Sequence, residues 1–138
     1  MHEYSVEFLI VADDLDEAEV SAMLGLKASV FLKKGEPYSP LSQKKRENSS
    51  WSFFIDPPEG NRCWNSLEEG LKCLIEKLQP LQGVLGQLRE RFSLHAYCGH
   101  FGSGFGGGPS ISPETLSQLA ELGLTLNIKT YWGSTEPD

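Results

Sequence analysis

Cysteine is scarce: Cys63, Cys73 and Cys98 are the only three in 138 residues. An odd number without Cys-x-x-Cys spacing is a poor disulfide framework. Unpaired cysteine is among the most buried residue types, so all three read as small apolar side chains in a reducing cytoplasm. Long apolar runs are also missing, and none approaches the ~18 residues of a membrane span. Glu3 and Glu7 interrupt the N-terminus, which therefore carries no signal-peptide pattern. Positive charge is in short supply. Twelve Lys and Arg against 19 Asp and Glu give a net charge of −7. That sign argues against nucleic acid and leaves basic protein partners open.

The apolar content is ample for a folded chain, with 39% hydrophobic and 22% charged residues. A chain of this length buries roughly two-thirds of its surface on folding. The expectation is one domain over residues 1–133, with a polar tail at 134–138.

Tyr4, Val6, Phe8 and Ile10 alternate with Glu3, Ser5 and Glu7, which predicts a strand buried on one side. Asp13 and Asp14 signal a helix start, Asp16, Glu17 and Glu19 suit its positive end, and Gly25 its stop. A second strand is predicted over residues 28–32. Residues 33–48, rich in Lys, Pro, Ser and Gly, read as a long functional or mobile loop. Trp51, Phe53 and Ile55 share one face of a third strand. Ser66 and Glu69 form a capping box ahead of Leu67, Leu71, Leu74, Ile75 and Leu78, a single helical stripe. Pro80 ends or kinks that helix, and Leu81, Leu85 and Leu88 continue a weaker one to Arg89. Phe92, Leu94, Ala96 and Cys98 mark a fourth strand, followed by a glycine-rich loop over residues 99–110. Ser112, Pro113 and Glu114 open a short helix that Gly123 closes. Leu124, Leu126 and Ile128 mark a last strand.

The order is β-α-β-β-α-β-α-β. It predicts an α+β two-layer sandwich: a ferredoxin-like, split β-α-β core with an added helix and strand. Alternation in every strand puts the helices on one sheet face and leaves the other more polar.

Several residues are placed to do chemistry. Gly102, Gly104 and Gly107 match the spacing G-x-G-x-x-G, whose backbone N–H groups can approach a phosphate. The helix starts too late for a dinucleotide fingerprint, no acidic residue follows to hold a ribose, and no Gly-Lys-Ser/Thr closes a P-loop. Residues 1–26 hold seven acids and no Lys or Arg, whereas residues 27–46 hold six Lys and Arg and one acid, Glu36. Lys44, Lys45 and Arg46 can neutralise a phosphate or an acidic partner, or form a solvated loop. Trp51, just beyond them, either stacks on a ligand ring or fills the core. Strand alternation puts His95 on one face and Cys98 and His100 on the other, short of the three or four ligands zinc needs, so no metal is assigned. Glu3, Ser5, Glu7, His95, Tyr97, Asn127, Lys129 and Tyr131 point away from the helices. Within that set Glu7 and His95 form either an acid–base couple or ordinary surface neighbours. No Ser-His-Asp or Cys-His arrangement stands out, and no catalytic residue or cofactor is assigned.

The chain resembles a bacterial family of small uncharacterised proteins, domain of unknown function 4279. The resemblance rests on Asp13, Asp14, Leu15 and Asp16 after the first strand, the run Val20-Ser21-Ala22-Met23-Leu24-Gly25-Leu26, and the pair Lys34-Gly35. It rests also on Trp51, on the Ser66-Leu67-Glu68-Glu69 helix start, and on Ile111-Ser112-Pro113-Glu114-Thr115-Leu116 running into Leu119-Ala120-Glu121-Leu122-Gly123-Leu124. A glycine before the long loop and a tryptophan after it are the family's most recognisable residues, and they map to Gly35 and Trp51. The resemblance implies no catalytic residues. The glycine tract is longer than the family usually carries.

Two readings follow. The first is a non-enzymatic protein-interaction module, working through Glu3, Glu7, His95, Tyr97, Lys129 and Tyr131 or through residues 33–48. An immunity-like inhibitor of a basic partner is its concrete form. The second is an anionic-ligand or nucleotide-binding domain using Gly35, Lys44, Lys45, Arg46, Trp51, Gly102, Gly104 and Gly107. It gains if the glycine-rich and basic loops meet in space. Neither needs a membrane, and self-association stays open to both.

Overall fold

The computed structural model describes residues 2–102 and 106–132. Its elements are β1 (His2–Ala12), α1 (Glu17–Leu24), β2 (Val30–Leu32), β3 (Ser49–Phe54), α2 (Leu67–Leu78), a 3₁₀ turn (Gln79–Leu81), α3 (Gln82–Arg89), β4 (Ser93–Gly102), α4 (Pro113–Glu121) and β5 (Thr125–Trp132). The fold is mixed α+β around one open five-stranded sheet, in the order β2-β3-β1-β4-β5. β1 is antiparallel to both neighbours, β3 and β4, and β2 is antiparallel to β3. β5 runs parallel to β4, which requires the α4 crossover between them.

The helix boundaries follow from their caps. Asp16 Oδ1 accepts from the N–H groups of Ala18 and Glu19 at 3.0 and 3.3 Å. The first helix therefore starts at Asp16 rather than at Asp13-Asp14, because β1 runs on to Ala12 before the chain can turn. Gly25 ends it in the left-handed conformation at φ 67°. Ser66 Oγ accepts from the Glu69 N–H at 3.3 Å and starts α2. Pro80 lies in a single 3₁₀ turn, after which α3 resumes with Leu85 and Leu88 buried. Ser112 Oγ caps α4 through the Thr115 N–H at 3.2 Å.

The core is the even-numbered face of β1, with Tyr4, Val6, Phe8 and Ile10 buried against Leu67, Leu71, Leu74 and Leu78 of α2. Gly70 lets α2 come close: a Cβ there would lie 2.7 Å from Val6 Cγ2 and 3.1 Å from the Trp64 ring. Trp64 itself pairs with Tyr4, taking up β1 where β3 has ended. None of the helices in the described residues is long and apolar enough to cross a membrane.

Residues 33–48 form a loop between β2 and β3, as expected, and hydrogen bonds fold it into a hairpin-like excursion: Gly35 N–H bonds Arg46 O, Arg46 N–H bonds Glu36 O, and Tyr38 N–H bonds Lys44 O. Two strand expectations are corrected. β4 continues to Gly102, so the first glycines of the expected loop 99–110 are strand residues, held by pairing with β1. β5 extends to Trp132, past Ile128, because β4 offers it a full-length partner. The expected tail at 134–138 lies outside the described residues.

Candidate binding surface on the open sheet face

The face of the sheet turned away from the helices is built from odd positions of β1, β4 and β5. The pairing register sets its rows. Glu7 stands between Phe54 of β3 and Tyr97 of β4, and Tyr97 stands beside Asn127 of β5. One row along, Leu9 pairs with Ser52 and His95. Towards the other end, Ser5 pairs with Gly99 and Gly99 with Lys129; Glu3 pairs with Phe101 and Phe101 with Tyr131.

The Phe101 and Tyr131 rings stack at 5.1 Å with 11° between their planes. They are 39% and 42% exposed. Gly99 makes this possible, since a Cβ there would fall 3.1 Å from the Phe101 ring and 2.6 Å from Ser5 Oγ. Ser5 Oγ instead accepts the Gly99 N–H at 3.1 Å. Lys129 Nζ lies 5.4 Å from the Tyr131 ring centre, within cation–π range. On the far side, the Arg62 guanidinium covers Phe54 at 3.7 Å and donates to Asp56 at 3.1 Å. The surface thus mixes aromatic area with charges of both signs.

Burial raises the Glu7 carboxyl above its ordinary range, opposed by a Ser52 hydrogen bond and by Arg62. Burial also raises the Tyr97 phenol, with Tyr131 adding to it. His95 Nδ1 lies 2.6 Å from Asn127 Oδ1 and its Nε2 lies 2.8 Å from Ser93 Oγ. An amide oxygen only accepts, so His95 donates from Nδ1. Glu7 is not one of these partners. Of the two readings of Glu7 and His95, the geometry favours surface neighbours: the register sets Glu7 opposite Tyr97 and His95 opposite Leu9, and the His95 nitrogens bond Ser93 and Asn127.

The structure places Glu3, Glu7, His95, Tyr97, Lys129 and Tyr131 on this one face, as their parity requires. Sequence reasoning missed Phe101, Phe54 and Arg62. The signal for Phe101 was present, because it continues the alternation of His95, Tyr97 and Gly99, but its glycine neighbours read as loop.

The ligand residues do not assemble. Ala12 pairs with Ser49 beside the basic hairpin, whereas His2 pairs with Gly102 beside the glycine tract. The two features therefore flank opposite ends of β1, an 11-residue strand on the order of 33 Å long. Gly35 turns the chain into the hairpin at φ 89°. Lys44 and Arg46 lie over the Tyr38 ring at 5.7 and 4.9 Å, and Lys45 bridges to Pro37. Trp51 is 0% exposed and donates its indole N–H to Ser21 Oγ at 3.0 Å. It is a core residue and offers no ring to a ligand. Gly102 lies in β4 and Gly107 beside it in space, both against the His2 ring; Gly104 is outside the described residues.

A family model described as a domain of unknown function (DUF4279) covers residues 2–133. No curated protein and no solved structure matches the chain.

Proposed function

The chain belongs to the DUF4279 family, and we propose that it is a protein-binding domain whose open sheet face receives a basic partner. One observation carries this reading: the stacked Phe101–Tyr131 pair, with Lys129 beside it, stands exposed on a face that no helix of the described residues covers. Aromatic side chains anchor protein interfaces because they bring large contact area at little entropic cost. Glu3 and Glu7 in the neighbouring rows supply negative charge, and the net charge of −7 steers a cationic protein towards it. Inhibition of a basic enzyme, immunity-like, is the concrete form of the reading. Hydrogen bonds that join both ring nitrogens of His95 to Ser93 and Asn127 support a binding role for this face.

The scaffold belongs to the same reading. We take β1-α1-β2-β3-α2-β4 as a ferredoxin-like, split β-α-β core, supported by the antiparallel run β2-β3-β1-β4. In it α4 and β5 widen the face and bring Tyr131 to Phe101. A bacterial cytoplasm fits three unpaired thiols.

The test compares the wild type with a Phe101→Ala/Tyr131→Ala double variant. Each is cross-linked in a native lysate, and retained proteins are identified by mass spectrometry. The expected result is a basic protein held by the wild type and lost from the variant, with unchanged thermal unfolding. Equal retention by both would remove the aromatic pair from the interface. No retained basic protein at all would remove the reading.

A further inference from the structure

Among the described residues the sheet ends in two edge strands, and they are unlike. β2, at one edge, is three residues long. β5, at the other, runs for eight, from Thr125 to Trp132. An edge strand presents a row of unpaired backbone N–H and C=O groups, which folded proteins blunt with brevity, proline or charge. β2 is blunted by its length. β5 has no proline and one charged residue, Lys129.

The core also stops short at this edge. Ile128 pairs with Cys98, so it belongs to the face that the helices cover. Cys98 is fully buried there, whereas Ile128 is 39% exposed. Leu126, two residues earlier on the same face, is half-buried. Leu116, on the crossover helix α4 between these strands, is 46% exposed. The strand therefore offers open backbone and an incompletely covered apolar side chain at the same place.

We propose that β5 pairs antiparallel with β5 of a second copy of this chain, about a two-fold axis at Ile128, and joins the two five-stranded sheets into one. Symmetry and charge select this register. A two-fold axis perpendicular to the sheet keeps both helix layers on one side. Facing residues then share a parity, so the axis falls on a residue and not between two. An axis at Lys129 sets two ammonium groups opposite each other, which opposes pairing. An axis at Asn127 pairs residues 125–129 alone. An axis at Ile128 pairs residues 125–131, with Ile128 against Ile128 and Leu126 against Thr130 on the helix side. On the open side Lys129 meets Asn127 and Tyr131 meets Thr125, and no like charges face.

This self-complementarity favours a second copy over a foreign strand, because each side chain of the pairing finds a compatible neighbour and Ile128 is covered by its own equivalent. The net charge of −7 on each chain opposes the encounter at long range, so pairing strengthens with salt. Pairing runs along the strand edge and leaves the open face uncovered, so the inference stands apart from the partner reading.

The test is sedimentation velocity on the full chain over about a hundredfold range of concentration. The expected result is a mass that rises from 15.3 kDa towards twice that value, more steeply at high salt. Ile128→Lys and Ile128→Glu each stay monomeric, and their equimolar mixture regains the dimer because residue 128 faces itself. Thermal unfolding checks the fold of both. Hydrogen exchange on the wild type needs no variant: amides of residues 125–131 gain protection as concentration rises. A wild type that stays monomeric overturns the proposal. So does a dimer that Ile128→Lys leaves intact, a mixture that fails to associate, or β5 amides that exchange equally fast at every concentration.

Discussion

Trp51 of β3 donates its indole N–H to Ser21 Oγ of α1 at 3.0 Å. The bond joins the strand after the basic hairpin to the helix before it. Phe8 closes the site from β1, its ring 6.0 Å from the indole and edge-on at 71°. Trp51 therefore fixes the core beside the hairpin and does not face a ligand. Trp51→Ala is expected to cost about 3–5 kcal/mol. Ser21→Ala, which leaves the indole N–H without its acceptor, is expected to cost about 1–3 kcal/mol. Urea unfolding measures both, and a Trp51→Ala loss below about 1 kcal/mol would contradict the packing argument.

Glycines of one helical region are expected to respond in opposite directions. Gly70 has Val6 and Trp64 where its Cβ would go, so Gly70→Ala forces α2 off the sheet and destabilises by about 1–3 kcal/mol. Gly86 in α3 has open space at the same position, so Gly86→Ala stabilises by about 0.5–1 kcal/mol. Denaturant midpoints of the two variants decide this. A shift of the same sign in both would refute it.

Glu68 of α2 holds the start of α4. Its carboxylate accepts the Ser112 N–H at 2.8 Å and the Thr115 hydroxyl at 3.0 Å. These bonds, the Ser112 backbone first, keep its carboxyl below the usual range. A lowered carboxyl contributes stability above its unfolded pKa and loses it as pH falls through the folded one. Thermal midpoints of the wild type are thus expected to drop on acidification below about pH 4.5. Glu68→Gln should begin lower at neutral pH and show a shallower acid slope. Parallel curves for the two proteins would show that Glu68 has no part in the acid dependence.

The thiols should differ in reactivity. Cys98 faces the core with 0% exposure, and burial pushes its thiol up to about 12. It therefore stays neutral and shielded at pH 8, where a free thiol is substantially ionised. Iodoacetamide under native conditions is expected to modify Cys63 and Cys73, which are half-buried, while Cys98 reacts on unfolding. Peptide mass mapping after a timed pulse reads the order, and early labelling of Cys98 would contradict its placement.

Much of this structure was legible locally. The alternation of Tyr4, Val6, Phe8 and Ile10 identified β1 and its buried face, and Ser66, Ser112 and Gly25 marked helix ends. Such signals survive because a cap or a two-residue period acts within one turn or one strand. The same parity placed Glu3, Glu7, His95, Tyr97, Lys129 and Tyr131 on one face before any pairing was known. It did not say which of them touch, and His95 takes Asn127, 32 positions along the chain, instead of Glu7.

By itself, then, the sequence determined element types, the polarity of each strand face and the charge that the protein presents. These are sums of short-range preferences, complete in a window of residues. Only the tertiary structure decided that β4 runs through Gly102, because pairing with His2 outweighs the weak strand preference of glycine. It alone set the basic hairpin and the glycine tract at opposite ends of β1, since strand register fixes positions that no local pattern encodes. It alone brought His2 to His100 and Phe101 to Tyr131. Contacts across such separations form when the whole core closes, so their chemistry belongs to the fold and not to either segment.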